Sequence, residues 1–442
     1  MILAILYKLG KGIVLLESIA LMYVITCVVM PILGYEVYNY NHYLSRVLVK
    51  YMQVSEHTYF SYALPAISLF VFAMTLPIKS EQTTDMGAAI MKQFARIRQI
   101  NNRNPKPGIV IVCTGIVMLF VSRLLPSSLR FVGDLFYFSS FAAILYVYHS
   151  DNRKLKIILI PLFVGVLLVS ALNSAMFTVI AYMGATVYSF FLIGSKASLF
   201  KKITIFLAGV VFILVLQNAK SIYRTYVMQK QYSGNKAELF AGILYDQFTR
   251  GDALIEKDAF FFVFIRMNQG WNISNVLKKI PSQREYENGR QLLRVAFASV
   301  IPRLFWADKP EAGGKFNMQY YAGLKIEGWS TNIGPLGEAY GNFGVGGGII
   351  YMFLLGLFIR WIYKKVFKLG IKTPLLILWL PVLFYQVTYS AETDTLQILN
   401  SLFKTSFFIY LIYRFLPSWF GKQKTGVSKP VLPMRNTIAA NN

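Results

Sequence analysis

Residues 203–217 read ITIFLAGVVFILVLQ, and residues 345–363 read VGGGIIYMFLLGLFIRWIY. Both are continuous apolar runs of the kind that crosses a hydrocarbon core of about 30 Å, a task that takes about 20 helical residues. Between them, residues 220–343 are polar and rich in Arg, Lys, Tyr and Trp. Similar apolar runs fill most of the chain before this interruption. They are unbroken rather than alternating, which disfavours a β-barrel. The reading is an all-α polytopic membrane protein with one large loop set between membrane helices.

Composition agrees. The 442 residues are 55% hydrophobic and only 15% charged, against roughly 25% charged in a soluble domain. About ten spans are expected: 12–33, 58–77, 108–125, 131–149, 157–171, 176–194, 203–217, 345–363, 374–390 and 397–416. This divides the chain into an N-terminal bundle of about seven helices (1–218), the loop (219–343), about three closing helices (344–416) and a polar tail (417–442) read as disordered. Lys8 and Lys11 precede the first run, which has no convincing small-residue cleavage site, so it is read as a retained span.

The net charge of +25 does not point to nucleic acid, because the basic residues cluster in short loops between spans. Arg96, Arg98, Arg103 and Lys106, then Arg153, Lys154 and Lys156, then Lys201, Lys202, Lys364, Lys365 and Lys368 fall on one side. The positive-inside rule makes that side, and both termini, cytoplasmic. The large loop is then outside. Tyr35, Tyr38, Tyr40 and Tyr43 follow the first span where an interfacial aromatic belt belongs.

The loop holds enough apolar material for a small subdomain or for helices lying on the membrane. Helical spacing of apolar residues runs through 238–248 and 290–301, the second stopping at Pro302. Arg290 and Arg294, four apart, share one helical face, with Leu293, Phe297 and Val300 on another part of the surface, so this helix is read as resting at the interface with its arginines facing phosphates; Arg303 follows the helix stop. A guanidinium makes bidentate bonds to phosphate oxygens and stays charged. Arg290 and Arg294 have an equal reading as contacts to lipid headgroups or to Glu285 and Glu287. Past them, residues 328–348 read GWSTNIGPLGEAYGNFGVGGG, in which Glu338 is the carboxylate best placed to act as a base or to hold a sugar hydroxyl. The glycines from Gly344 onward read as helix packing in lipid.

Ionisable residues within the runs, Glu17, Asp134 and Lys404, are costly there and invite partners. Glu392 and Asp394 lie at the outer end of the ninth run; they are open to facing the large loop, but the favoured reading is hydrated acids of a short outer turn. Cys27 and Cys113 read as small packing residues. The three histidines, His42, His57 and His149, are scattered and none lies in the loop, so no metal or other cofactor is called for.

The order of parts, with Ile301-Pro302-Arg303-Leu304-Phe305-Trp306, Lys309-Pro310, Gly334-Pro335-Leu336-Gly337-Glu338-Ala339-Tyr340 and Asn342-Phe343-Gly344, resembles the O-antigen polymerase (Wzy-type) family. That family carries an Arg and a Gly separated by ten residues, and Arg303 with Gly314 has this spacing. The resemblance covers most of the chain as topology. It implies a GT-C-like membrane glycosyltransferase of the bacterial inner membrane, with the loop in the periplasm. The implied substrates are undecaprenyl-pyrophosphate-linked oligosaccharide repeat units, and a chain-length-determining membrane protein is an implied partner beside membrane lipids. On this reading Arg303, with Arg290, Arg294 and Gly314, holds the departing pyrophosphate. Glu338 takes the acceptor proton, and Tyr320, Tyr321, Trp329 and Tyr340 line a sugar groove. The alternatives are an O-antigen ligase, disfavoured because its pattern includes an outer-loop His, and a flippase or transporter of lipid-linked sugars, disfavoured by the long loop and the lack of a repeat.

Overall fold

The computed structural model describes residues 1–76, 86–122, 124–174, 178–194, 198–224, 226–227, 232–249, 257–301, 305–306, 308–327 and 331–421. Among these it is helical throughout, with an isolated bridge between Leu9 and Gly12. Each of the ten expected runs falls on helix. Among the described residues, seven helices are long and apolar enough to cross a membrane, or eight if a pair bent by 84° at residues 103–106 is one span. The runs at 108–125 and 176–194 lie on helices Lys106–Val121 and Thr178–Leu192, of 16 and 15 residues. Both are shorter than the ~20 residues a perpendicular crossing takes. The protein is a helical membrane protein.

The crossing helices named below are α1 (Leu15–Glu36), α2 (Glu56–Thr75), α3 (Ser127–Tyr148) and α4 (Arg153–Ser174). The interruption then contributes α5 (Gln269–Lys279), α6 (Arg290–Val300) and α7 (Gly314–Ala322). Closing the chain are α8 (Gly334–Lys372), α9 (Leu380–Thr388) and α10 (Thr395–Phe415). The helices expected at 238–248 and 290–301 are present as Lys236–Thr249 and α6.

Caps and breaks follow local chemistry. The Ser55 hydroxyl caps α2 by accepting from Thr58 N at 3.2 Å. At 39 residues, α8 would be about 58 Å long if straight, nearly twice the apolar thickness of a bilayer. It breaks at Gly344, whose φ of 67° a side chain rarely tolerates. Below that break α8 packs on α2. A Cβ on Gly356 would lie 2.8 Å from the Phe70 carbonyl oxygen, so the missing side chain sets the closeness of the pair. Of the glycines from Gly344 to Gly348, Gly348 fits the helix-packing reading, since a Cβ there would meet the Tyr62 ring of α2 at 2.8 Å, whereas one on Gly346 would meet nothing within 4 Å.

One continuous core joins Tyr23, Tyr59, Tyr62 and Phe70 of α1 and α2 to Trp379 and Phe384 near the closing helices. Trp271, Ile273, Val276 and Leu277 of α5 and Met318 and Tyr321 of α7 belong to the same core. Nearly all of α5 is buried, including Asn268 at its cap, Gln269, Asn272, Ser274 and Asn275. The segment between the apolar runs therefore sends helices into the body of the protein.

Three expectations are corrected. The tail does not become disordered at Pro417: Pro417–Phe420 is a 3-10 turn with Trp419 and Phe420 buried, and Tyr146 donates to the Trp419 carbonyl at 3.0 Å. Residues 422–442 lie outside the described residues. Cys113 is exposed on its helix rather than packed, whereas Cys27 is buried. Asp394 and Glu392 are not hydrated turn acids, because both carboxylates are removed from water and paired within the protein.

Candidate functional site

Glu338 lies in the second turn of α8 and is 2% exposed. Its Oε2 accepts from the Thr395 backbone N–H at 2.8 Å and from the Thr395 hydroxyl. Oε1 is 3.5 Å from the Asn317 amide nitrogen on α7. Asn317 also donates to Asn332 Oδ1 at 3.2 Å, and Asn332 in turn donates to Asp394 Oδ2 at 2.9 Å. Asp394 is 1% exposed. The same Oδ2 accepts from Gly313 N at 2.8 Å, while Oδ1 caps α10 by accepting from Gln397 N at 2.7 Å. Tyr351 OH shares a hydrogen bond with Thr395 Oγ1 at 3.1 Å.

Three chain segments thus meet through two carboxylates and neutral donors. Such a network is stable only when its members are satisfied, because an unpaired buried polar group costs about 1–3 kcal/mol. Burial pushes the Asp394 carboxyl above the usual carboxylate range, against the lowering effect of the bonds from Gln397, Asn332 and Gly313. Gly314 opens α7 beside this network. A Cβ there would fall 1.5 Å from the Thr331 carbonyl oxygen, so only glycine lets residues 313–317 reach Asp394 and Glu338.

A second cluster is half-exposed. The Arg284 guanidinium lies 3.6 Å over the Tyr320 ring, ion-pairs with Glu287 at 2.8 Å and donates to the Tyr320 carbonyl at 3.1 Å. The Tyr320 hydroxyl donates to Glu287 Oε1 at 2.7 Å. Burial and the Glu287 carboxylate push that phenol up to about 12. Tyr321 and Tyr340 are inside the core: the Tyr321 oxygen accepts from Asn342 at 3.0 Å, and Tyr340 OH donates to the Ile280 carbonyl at 3.3 Å. Arg290 and Arg294 are exposed on α6, and Arg294 donates to the Asp308 carbonyl at 3.3 Å. Arg303 and Trp329 lie outside the described residues.

The structure therefore brings Gly314 and Glu338 together, and adds Asn317, Asn332, Asp394 and Thr395, which the sequence reading did not select. Position beside a membrane helix was the available signal for Asp394 and Thr395. Nothing in the sequence pairs Asn317 with Asn332. The in-run Glu17 gains the partner it called for, Lys8 at 2.7 Å, and Glu392 pairs with Arg266 at 3.0 Å. Among the described residues no three His, Cys, Asp or Glu side chains gather as a metal set.

The crossing helices and the buried polar junction define a multi-pass helical membrane protein with polar side chains concentrated at the heads of α8 and α10. A family model described as Domain of unknown function (DUF8712) matches residues 83–417, and the chain belongs to that family. No curated protein and no solved structure matches it.

Proposed function

We propose that this protein is a glycosyltransferase that polymerises undecaprenyl-pyrophosphate-linked oligosaccharide repeat units at the outer face of the bacterial inner membrane, with both termini in the cytoplasm. The observation that carries this reading is the junction of Glu338, Asp394, Asn317, Asn332 and Thr395. Carboxylates, amides and hydroxyls are the groups that recognise sugar hydroxyls, and here they converge where α8 and α10 begin. Buried ionisable residues beside membrane helices are expensive and mark functional sites by default.

In the transfer, the bond from the anomeric carbon of the growing chain to its pyrophosphate breaks. A bond to a hydroxyl of the incoming unit forms, and the pyrophosphate leaves with the electron pair. Arg303, with Arg290 and Arg294, stabilises that leaving charge. Glu338 receives the acceptor proton on Oε1, because Oε2 is already held by the two donors of Thr395. Tyr320 offers a ring at the rim, and a chain-length-determining membrane protein is the expected partner.

Deletion of the gene tests the reading. Lipopolysaccharide capped with a single repeat unit is the expected product. Loss of all repeat units would replace this proposal with a ligase or a flippase. Arg303→Ala should abolish polymer at unchanged protein level, and Arg303→Lys should shorten it, since a point charge does not reproduce the guanidinium fork. Normal chain length in either variant removes the role given to Arg303.

A further inference from the structure

Helix α6 has one buried face and, opposite it, one exposed apolar face. At ~100° per residue, Gln291, Val295, Ala298 and Ser299 fall on one side, and all four are buried. Val295 and Ala298 pack with Leu396 in the first turn of α10. About 180° away on the same wheel lie Leu293, Phe297 and Val300, which are 61%, 57% and 62% exposed. Arg290 and Arg294 occupy one edge between these faces, with Trp306 beside Arg294 at 6.0 Å from its ring. Leu292 and Ala296 occupy the opposite edge. A helix meeting water on its outer face would not carry three large apolar side chains there.

We propose that α6 lies flat in the outer-leaflet interface, with Leu293, Phe297 and Val300 in the acyl region and Arg290 and Arg294 at the level of the lipid phosphates, the depth at which a lipid-linked pyrophosphate also sits. Its height is fixed by its seat. The 21 residues of α10 span about 31 Å, which matches the apolar core, so the first turn that holds α6 stands at one interface. The division into protein side, lipid side and charged edge is what an interfacial helix beside a bundle requires. Arginine stems lie along apolar surface while their heads reach phosphate, and Trp306 is of the type that anchors at headgroup level. This inference does not rest on the transferase reading.

Spin labels on the full-length protein test it, in nanodiscs of phosphatidylethanolamine and phosphatidylglycerol, with Cys113→Ser removing the exposed native thiol. Labels go on Phe297→Cys, Val300→Cys and Arg290→Cys in separate preparations. The ratio of collision with oxygen to collision with a water-soluble nickel chelate should be several-fold higher at 297 and 300 than at 290. A nickel-dominated signal at 297 and 300 would put this face in water and end the proposal. Protection from both reagents would also overturn it, in favour of a protein partner, and dipolar broadening reversed by unlabelled protein would identify that partner as a second copy. Having two sites on the apolar face keeps the test decisive if one variant fails to fold.

Discussion

Glu338 with Asp394 and Glu287 with Arg284 are two ways of keeping a carboxylate. The first pair is buried and held by amides, hydroxyls and backbone N–H groups. At the rim, Glu287 is held by a guanidinium that is itself stacked on Tyr320 and partly in water. Neutral donors anchored on three chain segments make the buried junction dependent on the whole tertiary arrangement. The rim ion pair joins residues three apart in a non-helical stretch and reaches across the chain to Tyr320 of α7. Breaking the first should therefore disturb the protein far more than breaking the second, since exposed ion pairs contribute only about 0–1 kcal/mol.

The largest effect is expected from Gly314→Ala. The added Cβ meets the Thr331 carbonyl oxygen, a backbone atom that cannot swing aside, so α7 must leave the junction. Size-exclusion chromatography in detergent should show loss of the monodisperse species; a well-behaved Gly314→Ala protein with unchanged Tm would mean that 313–317 does not close on Asp394. Next, Asp394→Ala strips the acceptor from Gly313 N, Gln397 N and the Asn332 amide. Thermal unfolding should report a destabilisation of about 3 kcal/mol, from unsatisfied donors plus a lost cap.

A smaller effect is a pH slope. The folded Asp394 carboxyl binds its proton more tightly than in the unfolded chain, so its stability contribution is complete below the ordinary carboxylate range. It is lost as pH rises from about 4 through the raised folded value. Asp394→Asn should flatten this part of the Tm-against-pH curve, and an unaltered slope would assign it to another group. The smallest change belongs to Glu287→Gln, expected to cost less than about 1 kcal/mol. A loss as large as that from Asp394→Ala would erase the distinction between the two clusters.

The apolar runs made the helices legible, because lipid requires long, continuous hydrophobic segments whose backbone is satisfied within the helix. Their positions at 58–77, 131–149 and 397–416 lie on α2, α3 and α10. Glu338 was legible as a carboxylate at the mouth of a membrane helix. Asp394 was misread, since a short turn between two spans is ordinarily wet. Its burial follows from Gly313 and Asn332, which are distant in the chain and carry no periodic mark.

The sequence alone determined that this chain is helical, membrane-spanning and interrupted by one long polar segment, since hydropathy and charge are properties of local composition. Only the tertiary structure decided that α5 and α7 enter the core, that Asn317 and Asn332 link Glu338 to Asp394, and that Val295 and Ala298 of α6 seat on Leu396 of α10. Burial and hydrogen-bond partnership depend on which segments meet in space, and no single stretch of residues encodes its own neighbours.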